Sequence, residues 1–311
     1  MATLSSPLTR RRFLELTAAA SALSAVSPLN AANSRGSFSF RYVLASSLYG
    51  GLSLTEILPE VKKVGATAID LWPRKHGTQR EEADAWGREK LQAALKQHGV
   101  TVDVTTRFDL GPFGLADEIK FLHAMGGSLI VTGGKGPADA TGAVLKAEVK
   151  KLVEAMKPTL ERAADAGVKI AIENHSNNII NTPDSLRWLV EFGQGLPLGV
   201  ALAPYHLPQD PLLMASLIRD FDSALLLFYG WQYGKGCMKP MPKDEELMQM
   251  PGRGTLDFKP LVQALQDIRF RGWTEIFMHP TPRGIPILDT ATEVTAEINR
   301  ARRYLEALPL A

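Results

Sequence analysis

Short apolar runs alternate with amphipathic stretches from residue 42 to residue 308. The runs at 42–47, 68–72, 100–105, 128–132, 169–173, 198–203, 224–229 and 274–278 are compact and apolar, the pattern of strands buried on both faces. Between and after them apolar residues recur every three or four positions, which predicts helices over 54–64, 88–97, 115–125, 145–166, 185–192, 212–221, 258–268 and 291–308. Gly65, Gly99 and Gly167 stand where helices should stop, and Thr182-Pro183 has the form of an N-cap followed by proline in the first turn. Strict strand–helix alternation calls for a parallel sheet covered by helices. Eight such units within residues 38–311 have the count and size of a (β/α)8 TIM barrel, an α/β fold in a single domain. A doubly wound open sheet is the alternative that the same alternation permits.

The first 32 residues read differently. Arg10, Arg11 and Arg12 precede an Ala/Ser-rich apolar run at 17–26, the form of a twin-arginine export signal cleaved near Ala31 or Ala32. The run is shorter than the roughly twenty apolar residues of a spanning helix, so membrane contact is expected only through this segment, as an anchor if the signal is retained. The expected location is therefore exported and periplasmic, with the twin-arginine export machinery as a partner. Removing residues 1–32 takes three arginines and Glu15 from totals of 35 Lys+Arg and 33 Asp+Glu, leaving 32 of each. Such a neutral chain lacks the basic excess that nucleic-acid binding requires. The single cysteine, Cys237, excludes an internal disulfide, which suits a protein exported already folded.

The chemistry gathers at strand ends. The fifth strand, residues 169–173, ends abruptly in Glu173, followed by Asn174 and His175. Of six histidines, His76, His175, His206 and His279 all follow predicted strands, and in a TIM barrel that end is the working face. Asp70, Trp72, Arg74, Arg107 and Lys135 fall on the same rim, with Trp231, Gln232, Lys235 and Arg253 on a long loop after the seventh strand. Trp72 and Trp231 have the flat apolar faces on which sugar rings stack. Gly133-Gly134-Lys135-Gly136 resembles an anion cradle without the full phosphate-loop signature.

The order of elements, with residues 170–175, 198–207 and 251–258, resembles the xylose isomerase-like TIM barrel family of sugar isomerases and epimerases, with apurinic-site endonucleases as relatives. The resemblance covers essentially all of the chain after the signal. It implies a divalent metal (Mn, Mg, Co or Zn) held by a Glu on strand five, an Asp before a His on strand six, a His on strand seven and a Glu on strand eight. Glu173 matches the first ligand and His206 the strand-six His. Ala203 stands at the Asp position, no histidine occurs from Ser223 to Lys239, and Phe277 is nearest to the strand-eight Glu position. What remains as a metal set is Glu173, His206 and His279.

The expected activity is that of a sugar isomerase or epimerase, moving a proton next to the carbonyl of a free or oxidised sugar. Glu173, His206 and His279 are the expected catalytic residues. Trp72, Arg107, Lys135, His175, Trp231, Gln232 and Arg253 are the expected contacts to a small-molecule carbohydrate. A metal-independent keto-sugar lyase or hydratase and a non-catalytic carbohydrate-binding barrel are the alternatives.

Overall fold

A computed structural model describes residues 38–309; the export signal expected within residues 1–32 lies outside the described residues. Eight parallel strands close into a barrel in sequence order: β1 (Tyr42–Ala45), β2 (Ala68–Leu71), β3 (Thr101–Thr106), β4 (Leu129–Gly133), β5 (Lys169–Glu173), β6 (Leu198–Leu202), β7 (Leu225–Gly230) and β8 (Trp273–Ile276). Closure is made by β1 and β8, with Val43 opposite Glu275. The open-sheet alternative is thereby set aside. Nearly every strand residue is buried, because helices cover the outer faces while side chains fill the interior.

The eight principal helices are α1 (Leu54–Lys63), α2 (Gln79–His98), α3 (Ala116–Met125), α4 (Gly142–Asp165), α5 (Pro183–Phe192), α6 (Pro211–Phe221), α7 (Lys259–Asp267) and α8 (Ala291–Glu306). Thr182 caps α5 as its sequence suggests: its hydroxyl accepts from the Ser185 N–H at 3.1 Å, with Pro183 in the first turn. The helix after β2 begins nine residues before the expected Arg88 and is broken at Gly87, whose φ of 73° no helix tolerates. Its first turns bury polar groups rather than an apolar stripe. Gln79 Nε2 donates to Gly50 O and Leu52 O at 2.7 Å each, and Arg80 grips Glu118 through Nε and Nη2. The long loop after β7 is not bare. It contains a helical turn (Lys243–Glu246) followed by a tighter one (Leu247–Gln249).

Candidate active site

Side chains two residues apart on a strand share a face, so the interior is built in layers. Asp70, Glu173, Tyr229 and Glu275, from β2, β5, β7 and β8, form a deep polar layer. Two residues further along each chain, Trp72, His175, Trp231 and Phe277 form the layer at the mouth. Thr106 Oγ1 donates to Asp70 Oδ2 at 2.6 Å. Asp70 and Glu275 stand close enough for a hydrogen bond between carboxyls, which requires one of them to hold a proton. Burial raises both above the usual carboxylate range, and neither can ionise without penalising the other.

The mouth layer is aromatic. Trp72 stacks on Phe277 with ring centroids 5.0 Å apart, and Tyr205 stacks on Trp231 at 4.2 Å with planes 12° apart. His206 and His279 each stand edge-on to Trp231 at 5.2 Å. His175 packs against His206 at 4.0 Å, and His76 against His279 at 4.7 Å. The four strand-end histidines thus form two pairs, one member of each standing edge-on to the same indole.

Local hydrogen bonds fix these rings. Gln249 ties His279 to Trp231: its Oε1 accepts from Trp231 Nε1 at 3.1 Å and from the His279 N–H at 3.2 Å, while its Nε2 donates to His279 O at 2.9 Å. Asn174 clamps the end of β6, donating to Ala203 O at 3.0 Å and accepting from the Ala203 N–H at 2.8 Å. That clamp holds the turn carrying His206 beside Glu173, with His206 Nε2 at 3.9 Å from Glu173 Oε1. This is beyond direct hydrogen-bond reach and leaves His206 Nε2 without a partner among the described residues.

Burial sets the protonation. Glu173 is pushed up to about 8, chiefly by desolvation, with the Tyr229 hydroxyl opposing the shift and the Asp70 charge adding to it. At pH 7 it is a neutral carboxylic acid. His206 is pushed down to about 3 by burial, then by His175 and Arg283. Burial lowers His76 to about 4, and lowers His175 and His279 as well; the Arg283 charge contributes to all three. The mouth therefore presents neutral imidazoles beside a proton-bearing Glu173.

Of the residues expected at the site, Glu173, His175, His206, His279, Trp72 and Trp231 come together. Four do not join them. Arg107 pairs with Asp109 and Glu118, and Arg253 grips Glu297 on α8 through two 2.7 Å bonds. Gln232 is spent inside the β7 loop, donating to Met250 O and accepting from the Leu256 N–H. Lys135 is exposed on the β4 loop.

The expected metal set does not form. Among the described residues no three His, Cys, Asp or Glu side chains are arranged to hold an ion. Phe277, which the resemblance sets nearest to the strand-eight Glu, is apolar and stacked on Trp72. Glu173, His206 and His175 supply suitable ligand types, but among the described residues they are not arranged to hold an ion.

Residues not singled out in sequence are Tyr205, Tyr229, Gln249, Glu275 as partner of Asp70, and Arg283. Arg283 follows β8 and reaches the β7 loop, donating through Nη2 to Cys237 Sγ at 3.1 Å. Tyr205 OH meets the same sulfur at 3.0 Å. A separate cavity of about 370 Å³ opens at the other end of the barrel, where Arg41, Lys169, Arg269 and Arg271 lie among its lining residues. No buried acid–base pair lines it, so the mouth is the candidate site.

A closed (β/α)8 barrel carrying buried acid–base groups at the carboxyl ends of its strands defines the class. Residues 58–306 match the xylose isomerase-like TIM barrel family, and the chain belongs to that family. No curated protein matches it. Among solved structures it is similar to a D-psicose 3-epimerase from Clostridium cellulolyticum H10, 16% identical over 88% of this chain and 100% of that one, with a TM-score of 0.65. It is also similar to an IolI protein with a bound zinc atom (14% identical, 86% and 98% covered, TM-score 0.66). A third is the probable 3-DHS dehydratase AsbF of petrobactin synthesis from Bacillus anthracis (16% identical, 83% and 97% covered, TM-score 0.60). At these identities the likeness is one of fold.

Proposed function

We propose that the protein is a carbohydrate-active enzyme that moves a proton next to the carbonyl of a sugar, using its own side chains as acid and base. The observation that carries this reading is Glu173, a neutral carboxylic acid 3.9 Å from the unpartnered Nε2 of a neutral His206. A carboxylic acid kept protonated at pH 7 can donate a hydrogen bond to a carbonyl oxygen and stabilise the enediol that forms when the adjacent carbon loses its proton. A neutral imidazole accepts that proton. Inversion of that carbon needs a proton from a second group on its other face, and His279, neutral at pH 7, can give one only after taking it up from solvent. Return by His206 to the neighbouring carbon isomerises instead. The stacked Tyr205 and Trp231 rings offer a flat apolar surface for the sugar.

The epimerase neighbours support a sugar substrate, and the dehydratase neighbour supports the related elimination, in which the same enediol expels a hydroxyl group as water. The twin-arginine pattern at Arg10–Arg12 supports a site of action outside the cytoplasm. The test is turnover of a panel of aldoses, ketoses and keto-sugar acids by chelator-treated protein and by Glu173→Gln. Epimerised or isomerised products, lost in the variant, support the proposal. Dehydrated products assign the lyase or hydratase alternative. Sugar binding without any turnover assigns a carbohydrate-binding barrel and overturns the enzymatic reading.

A further inference from the structure

Arg283 is a cation without a counter-charge at the mouth. It is part-buried, and its hydrogen bonds go to neutral atoms: Nη1 to Pro280 O at 2.6 Å and to Cys237 O at 3.2 Å, Nη2 to Cys237 Sγ at 3.1 Å. Among the described residues it forms no ion pair, and its Nε makes no hydrogen bond to protein. Glu246, a carboxylate of the same loops, is taken by Lys243 and by the Thr281 N–H.

Its position ties it to the proposed chemistry. Cys237 Sγ, which receives Nη2, meets Tyr205 OH at 3.0 Å, and the Tyr205 ring stacks on Trp231 and packs edge-on to His206 at 4.8 Å. Pro280, whose carbonyl receives Nη1, directly follows His279. The guanidinium therefore belongs to the same wall as the two imidazoles that flank Trp231. Its charge is felt by His76, His175, His206 and His279, none of which offsets it.

Arg283 is part-buried with no nitrogen sealed from solvent without a partner, so its remaining N–H donors stay open to a ligand. A planar guanidinium fork with free N–H donors and no counter-charge matches carboxylate geometry. We infer that Arg283 is a carboxylate-recognition residue and that the mouth takes sugar acids, such as uronates and keto-sugar acids, in preference to neutral sugars. This rests on the reading of the mouth as a sugar site and names the substrate class of that site.

Calorimetric titration with D-glucuronate and D-galacturonate, against D-glucose and D-galactose, tests it. The expected result is at least about tenfold tighter binding of the acids, weakening with added salt. Arg283→Gln should bring the acid-to-neutral ratio close to one, while Arg283→Lys should keep part of the preference. Circular dichroism and thermal unfolding of both variants report whether the loops remain folded, and the wild-type ratio stands independently of them. Equal binding of acid and neutral sugars by the wild-type protein, no binding of the acids, or a preference that survives in a folded Arg283→Gln overturns the inference. Acid-selective binding without turnover upholds it while the enzymatic proposal fails. Turnover of neutral sugars without acid preference does the reverse.

Discussion

His206 Nε2 stands 3.9 Å from Glu173 Oε1, with burial holding the carboxyl protonated and the imidazole neutral. An ordinary pair of these residue types would carry its proton on histidine at neutral pH; here the order is reversed. Glu173 is thereby fitted to be the acid, and the imidazole the acceptor.

The pH–rate profile follows. If Glu173 must carry its proton in the free enzyme, kcat/KM should fall by about tenfold per pH unit above about 8, the value at which Glu173 is held. Glu173→Gln should lose activity by at least about a hundredfold, the scale of a general acid. A profile flat from pH 7 to 10 contradicts this assignment.

Stability carries the opposing signs of the buried groups. Glu173, raised from 4.5 to about 8, stabilises the folded state fully below pH 4.5, and this contribution is lost as pH rises toward 8. His206 and His76, lowered from 6.5 to about 3 and about 4, stabilise it above pH 6.5 and lose that contribution as pH falls through their folded values. The two trends oppose each other between pH 4.5 and 6.5, and the carboxyl trend stands alone above it. Urea unfolding should therefore show stability decreasing from pH 6.5 to 8, with the decrease reduced in Glu173→Gln by up to about 1.4 kcal/mol per pH unit. Stability rising over that range would contradict the buried-acid assignment.

Phe277 is stacked on Trp72 and almost wholly buried. Phe277→Ala should cost about 3–5 kcal/mol in chemical denaturation, the scale for emptying a buried aromatic site. A cost under about 1 kcal/mol would mean that the aromatic layer does not hold the mouth together.

Arg253 is engaged by Glu297, whose other partner, Arg300, remains when Arg253 is removed. Arg253→Ala should lower stability by no more than about 1 kcal/mol, as for a part-exposed pair, and should leave sugar affinity unchanged in calorimetry. A selective loss of sugar binding would return Arg253 to the site.

The barrel was legible because strands buried on both faces are apolar runs, and helices that cover them show three- and four-residue spacing. The start of α2 was hidden because its buried residues are Gln79 and Arg80, satisfied by carbonyls and by Glu118 rather than by apolar packing. At the site, Glu173 was visible as an acid closing an apolar strand, and the histidines as strand-end residues. Alternation put Glu275, Phe277 and His279 on one face but did not give their depth, so the pairing of Glu275 with Asp70 needed the three-dimensional structure. Arg283 draws its role from Cys237, 46 residues earlier in the chain, and no local pattern marks that contact. Arg107 and Arg253 looked free for a ligand only because Glu118 and Glu297 lie on helices that sequence alone does not bring beside them.

Solvent exchange tests the proton-transfer chemistry most directly. Chelator-treated protein incubated in D2O at pH 7 with keto-sugars and keto-sugar acids should place deuterium on the carbon next to the carbonyl, read by NMR, and Glu173→Gln should not. Exchange that appears only when a divalent metal is restored, or that persists undiminished in Glu173→Gln, would contradict the account.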